Sequence, residues 1–168
     1  MTKRTTLARL GLTALAFTLQ RPLLAAAATA NNRFPFALTD SQWRARLSPA
    51  AYRVLRQHGT ETPFTSALLK EKRAGTYRCA GCAHPLYESR TKYDSGTGWP
   101  SFWQALPNAL GTTRDTSFGM VRTECHCANC GGHLGHIFDD GPAPTGERHC
   151  INGVALAFVA APAKRVAG

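Results

Sequence analysis

Six cysteines carry most of the reactive chemistry in this 168-residue chain: Cys79, Cys82, Cys125, Cys127, Cys130 and Cys150. Cys79-x-x-Cys82 and Cys127-x-x-Cys130 form two knuckles, each with a glycine inside or beside it, Gly81 and Gly131, to let backbone amides turn toward sulfur. Two such pairs make a tetrahedral four-sulfur site, which zinc fills with bonds of about 2.3 Å. Four protein ligands leave no open coordination position, so the spacing predicts one structural zinc that staples distant hairpins together. Disulfides are the competing reading, but adjacent C-x-x-C bridges are strained and reducible and make poor staples. Cys125 and His126 are substitute ligands, with His126 expected to point away from the metal.

Cys150 stands apart from both knuckles, in Arg148-His149-Cys150-Ile151-Asn152. On a strand, Arg148, Cys150 and Asn152 share a face, because side chains alternate with a period of two. A guanidinium beside a thiol lowers its pKa and raises the thiolate fraction, which is what nucleophilic chemistry on sulfur requires. The competing reading is an inert, buried structural cysteine.

The elements that position these groups are short. Thr39 and Gln42 form a capping-box pattern opening a helix through Arg46. Ser48-Pro49 caps a second helix, carrying Tyr52, Val54 and Leu55 and stopped by Gly59. From Gly75 the pattern turns to strands broken by Gly, Pro and Asn/Asp: Thr76–Cys79, Met120–Cys127, His133–Phe138 and His149–Phe158. In the last, Val154, Leu156 and Phe158 alternate with alanines, as in a strand with one face in a core.

Longer motifs then agree in order: Gly59-Thr60-Glu61, Pro63-Phe64-Thr65, SGTGWPSF (Ser95–Phe102) and HLGHIFDDGPAPTGERHCIN (His133–Asn152), with both knuckles. Together they resemble the B-type methionine sulfoxide reductases from about Tyr52 to Phe158. The resemblance implies a mainly β fold of two small antiparallel sheets with short N-terminal helices, and zinc opposite the active site. It implies thiol-dependent reduction of the R epimer of protein-bound methionine sulfoxide, through a sulfenic acid on Cys150. It makes Cys150 the nucleophile and sets His133, His136 and Asn152 on the polar side of the pocket, with Trp99 as its apolar floor. His136 is the expected proton donor to the sulfoxide oxygen, because the sulfur becomes a good electrophile only once that oxygen is protonated. Phe138 completes the apolar wall. Many members carry a recycling cysteine in the GTGWP segment, where this chain has Thr97. Cys125 is the one other thiol outside the knuckles. It is expected to face the zinc, out of reach of Cys150, which leaves an external thioredoxin-like or other thiol as reductant.

Composition and charge bound the remainder. A chain of this length suits a single domain, and 43% hydrophobic against 18% charged residues excludes disorder as its main state. The net charge of +10 invites a nucleic-acid reading as a zinc-ribbon module. Yet Lys3, Arg4, Arg9 and Arg21 precede Asn31 with no acid among them, and the surplus beyond is scattered with no run longer than two. Residues 1–30 follow the basic, apolar, small-residue order of a secretory signal, with cleavage after Ala28 or Ala30. Gln20-Arg21-Pro22 interrupts the apolar run, which argues against a permanent membrane anchor. The expectation is a periplasmic monomer: signal 1–30, leader 31–38, catalytic domain 39–160 and loose tail 161–168.

Overall fold

In the computed structural model, which describes residues 33–162, helices α1 (Asp40–Arg46) and α2 (Pro49–Gln57) precede nine strands. Residues 1–32 and 163–168, and with them the signal-like stretch and most of the tail, lie outside the described residues. The strands are β1 (Gly75–Cys79), β2 (Pro85–Glu88), β3 (Lys92–Tyr93), β4 (Ser101–Phe102), β5 (Leu110–Asp115), β6 (Arg122–Cys127), β7 (His133–Phe138), β8 (Arg148–Ile151) and β9 (Leu156–Ala160). They form two antiparallel sheets, one ordered β2-β1-β9 and the other β3-β4-β8-β7-β6-β5.

Both helices begin where their capping residues dictate. Thr39 and Gln42 close a full capping box, and Ser48 Oγ accepts from the Ala51 amide at 3.2 Å with Pro49 in the first turn. The second helix ends on His58 in the left-handed region, φ 54°, one residue before Gly59. Its buried face, with Val54 and Leu55, covers β7 and the turn before β9. Between the sheets lies an aromatic core, in which Tyr87 stacks on Phe102 at 4.2 Å and Tyr77 meets both Phe102 and Phe158 edge-on or tilted. Each such ring buries an area large enough to dominate the local packing energy. Residues 33–38 of the leader pack against the domain, where the Phe36 amide donates to the Asn129 carbonyl at 2.8 Å.

The expected strand His149–Phe158 is two strands in two sheets. β8 ends at Ile151, a 3₁₀ turn covers Gly153–Ala155, and β9 begins at Leu156. The side chain of Asn152 is bonded away from the strand, and a Cβ at Gly153 would stand 1.8 Å from Ser66 Oγ, so the backbone passes where only glycine fits. The alternation holds from Leu156 onward and fails for Val154, which belongs to the turn. Four strands, β2 to β5, lie beyond those the pattern predicted.

Candidate active site

Register places the reactive groups in one row. Across neighbouring strands Ser101 stands opposite Cys150, Cys150 opposite His136, and His136 opposite Glu124. These four residues therefore project from one face of the larger sheet. Gly135 makes the row possible: a Cβ there would lie 2.0 Å from the Cys150 carbonyl oxygen, so any side chain would drive β7 from β8.

Above the row lies a cavity of about 190 Å³, lined among others by Cys150, His136, Asn152, Trp99 and Phe138. These five expected residues come together. His133 and Arg148 do not line it. His133 is buried behind the cavity, with Nδ1 on Glu124 Oε1 at 2.9 Å. Arg148 grips Asp140 through Nε and Nη2 at 2.8 and 2.9 Å while its guanidinium covers the Phe138 ring at 4.4 Å.

That geometry corrects the expectation for the thiol. Burial raises the pKa of Cys150, and the hydrogen bond from Thr97 and the charge of Arg148 oppose it without reversing it. Arg148 divides its guanidinium between Asp140 and the thiol, and burial outweighs both its charge and its hydrogen bond, which favours the protonated form of resting Cys150. Thr97 Oγ1 lies 3.9 Å from Cys150 Sγ and begins a hydroxyl chain that continues to Ser95 at 2.8 Å and Ser101 at 2.7 Å.

The histidine has a partner that sequence reasoning missed. Asp115, at the end of β5, accepts from His136 Nε2 at 2.8 Å and from Arg122 at 2.6 Å. Hydrogen bonds from Ser117 and His136 hold its carboxyl far below the usual range, so it is an acceptor only. The proton must then sit on Nε2, leaving Nδ1 as the ring position that can exchange one. Burial lowers the pKa of His136, with the Asp115 bond opposing.

Glu61 was also missed, although its Gly-Thr-Glu motif was seen. Its carboxylate accepts from the Gly153 amide at 2.6 Å, its own amide donates to Asn152 Oδ1 at 2.8 Å, and its carbonyl accepts from the Trp99 indole at 2.9 Å. Asn152 Nδ2 donates to the Leu134 carbonyl at 2.9 Å. Asn152 thus spends both ends of its amide on fixing the cavity wall, and one residue, Glu61, fixes indole, amide and turn together.

The knuckles lie elsewhere in the fold, and their four sulfurs lie within 4.8 Å of one another. Cys79 Sγ is 3.7 Å from Cys130 Sγ, and Cys82 Sγ is 3.6 Å from Cys127 Sγ. A regular tetrahedron with zinc–sulfur bonds of about 2.3 Å has edges of about 3.8 Å, whereas a disulfide needs about 2.05 Å. The donor set therefore fits a metal and not two bridges. The left-handed residue after each knuckle is Ala83 (φ 60°) in the first and Gly131 (φ 67°) in the second, so Gly81 does not have the turning role expected of it. Ala83 and Gly131 each donate an amide to the first cysteine of their knuckle at 2.8 Å. Arginines from the helices hold the outer carbonyls, Arg46 on Gly81 and Arg56 on Cys130. His126 points away from the sulfurs and bonds Glu124 Oε2 at 3.1 Å. Cys125 is fully buried on the opposite face of the sheet from Cys150, since its partners in register are Gly135 and then Ile151.

The chain matches the SelR domain over residues 47–160. It is 54% identical over 121 residues to a peptide methionine sulfoxide reductase MsrB of Agrobacterium fabrum (strain C58), covering 71% of this chain and 90% of that protein. A protein of the same name from Pseudomonas putida (strain W619) is 57% identical over 121 residues, covering 71% and 91%. Another from Thioalkalivibrio sulfidiphilus is 51% identical over 132 residues, covering 78% and 96%. With most of the described chain matched at this level, the chain belongs to the SelR-domain family of MsrB-type peptide methionine sulfoxide reductases.

Proposed function

We propose that this enzyme reduces the R epimer of methionine sulfoxide in proteins to methionine, with Cys150 as nucleophile and His136 as the proton carrier. One observation carries the reading: a thiol, an imidazole tied to a carboxylate, and an indole wall line the same cavity. The substrate methyl group lies against Trp99 and Phe138, which places the sulfoxide sulfur over Cys150. The resting thiol gives its proton to Nδ1 of His136, and Asp115 stabilises the resulting imidazolium through Nε2–H. The thiolate attacks sulfur while the imidazolium protonates the oxygen. The oxygen then passes to Cys150: the cysteine is oxidised by two electrons to a sulfenic acid, and the methionine sulfur is reduced by two. Arg148, His133 and Asn152 act by holding this constellation in place.

The same reading assigns one structural zinc to Cys79, Cys82, Cys127 and Cys130, supported by the tetrahedral sulfur spacing. An external thiol, of the thioredoxin type or smaller, returns the sulfenic acid to thiol, because Thr97 stands where a recycling cysteine would. The substrates are oxidised proteins or peptides, and nucleic acid is not among the partners. Export to the periplasm rests on the 1–30 pattern alone. Among the described residues no helix is long and apolar enough to cross a membrane. N-terminal sequencing of protein recovered from a bacterial periplasm, finding a start at Asn31 or Thr29, supports export; an intact Met1 in the cytoplasm overturns it.

The function itself is tested by offering a peptide containing each sulfoxide epimer, with dithiothreitol, and measuring methionine released. The R epimer should be consumed and the S epimer left, and Cys150→Ser should be inactive with its fold intact. Consumption of the S epimer, or activity in Cys150→Ser, overturns the proposal.

A further inference from the structure

Beside the substrate cavity, and sharing His136 with it, lies a second cavity of about 350 Å³, lined among others by His58, Glu124, His133 and Asp115, with Arg114 and Arg122 on its wall. We infer that His58, Glu124 and His133 form a second, exchangeable binding site for a zinc-class divalent cation, and that filling it stops turnover.

The three ligand atoms already face one another. Glu124 Oε1 is 2.9 Å from His133 Nδ1 and 4.0 Å from His58 Nδ1, and all three donors lie within 4.8 Å. A tetrahedral zinc with nitrogen and oxygen ligands at about 2.0–2.1 Å needs ligand atoms about 3.4 Å apart, a value these separations bracket. The adjustment falls on His58, whose side chain is 70% exposed and free to move toward the other two. At 4.0 Å His58 makes no hydrogen bond to the carboxylate, yet its ring sits 5.1 Å from that of His133, aimed at the same oxygen. Its place as the left-handed cap of α2 fixes the backbone from which the side chain swings.

Glu124 is the anion such a site needs. Its side chain is 8% exposed. Burial would raise its pKa, but the hydrogen bonds with His126 and His133 hold it at about 2, so it is ionised throughout the physiological range. Two imidazoles and one carboxylate suit zinc, cobalt or nickel rather than magnesium or calcium. Water in the cavity would complete the coordination. Nothing in the tetrasulfur site is shared, so the two sites load independently.

The effect on turnover, which rests on the proposed role of His136, follows from position. The rings of His133 and His136 are 5.5 Å apart. A divalent cation held at His133 sets positive charge beside His136 and so opposes the second positive charge that taking the thiol proton would create.

The test separates metal binding from catalysis. Zinc chloride is titrated into protein whose tetrasulfur site is already filled, in a Cys150→Ser background that removes capture by the nucleophile, and bound zinc is counted by native mass spectrometry. The count should rise from one to two. His58→Asn, which tolerates the left-handed conformation, should weaken this second site by at least about 100-fold, because even an outer-shell partner is worth about 10–100-fold. Single-turnover methionine release, run without added thiol, should be blocked by zinc in the wild type and spared in His58→Asn. A count that stays at one, or a second zinc bound equally well by His58→Asn, overturns the site. Equal inhibition of wild type and His58→Asn shows capture by Cys150 and overturns the inhibitory role.

Discussion

Asp115→Asn isolates the charge behind the proton carrier. Asparagine is isosteric and its amide oxygen can still accept from His136 Nε2, so the ring stays where it is while the negative charge disappears. General acid–base catalysis contributes about 10²–10⁴-fold in rate, and this variant forfeits the part that depends on stabilising the imidazolium. Two features reduce that part: the carboxylate is shared with Arg122 at 2.6 Å, and its side chain is 19% exposed to screening water. A fall in kcat of about tenfold to a hundredfold is the expected result. The pH profile gives a second readout. The reactive pair holds one proton, on the thiol or on the imidazole, so activity declines in acid as His136 takes up an extra proton and in alkali as Cys150 loses its own. Burial already lowers the first pKa and raises the second, which makes the plateau broad. The bond to Asp115 is the leading influence raising His136, so removing the charge lowers its pKa further and moves the acid limb to lower pH. The alkaline limb should stay. Steady-state rates with an R-sulfoxide peptide across the pH range decide the matter. An unmoved acid limb, or a change confined to KM, would refute the reasoning.

Stripping the metal, or replacing Cys130 by serine, should abolish cooperative unfolding, because structural zinc supplies about 10–16 kcal/mol where whole domains have about 5–15. Circular dichroism after chelation reads this out, and an unchanged melt or Cys79–Cys82 and Cys127–Cys130 bridges would count against it. Gly135→Ala should destabilise by about 3 kcal/mol, the upper end for overpacking, since the clash is with backbone, and urea midpoints measure it. One equivalent of sulfoxide without reductant should remove one thiol and leave a trappable sulfenic acid at Cys150. Loss of two thiols with a Cys125–Cys150 peptide would be contrary to the register, which puts two strand spacings, roughly 10 Å, between Cys125 and Ile151, the neighbour of Cys150.

What could be read in advance depended on how local the determinant was. Caps are short-range, so Thr39, Ser48 and Pro49 announced both helices, and knuckle spacing announced the tetrasulfur site. β7 was legible because a buried strand carries its pattern in adjacent residues. β5 was not, for Leu110–Asp115 is an edge strand, half exposed and half partly buried, with no buried face to impose alternation. Asp115 was hidden for the same reason: its meaning lies in a partner 21 residues away. The break in His149–Phe158 was invisible because it is dictated by Glu61 and Ser66, far back in the chain. The net acidity of Cys150 was not legible because the neighbouring arginine, which does lower the pKa, is visible in sequence, while the Asp140 that shares it and the burial that outweighs it are products of folding.

The brace at Glu61 also sets when the enzyme can first act. Residue 61 reaches 92 positions ahead to Gly153, so the indole floor and the thiol are joined only when the C-terminal strands have docked. A newly made chain that has not yet closed this contact has its sulfur but no cavity to use it in. Such a chain meets oxidants as an ordinary unfolded thiol, and acquires its chemistry in the same event that closes its last long-range contact.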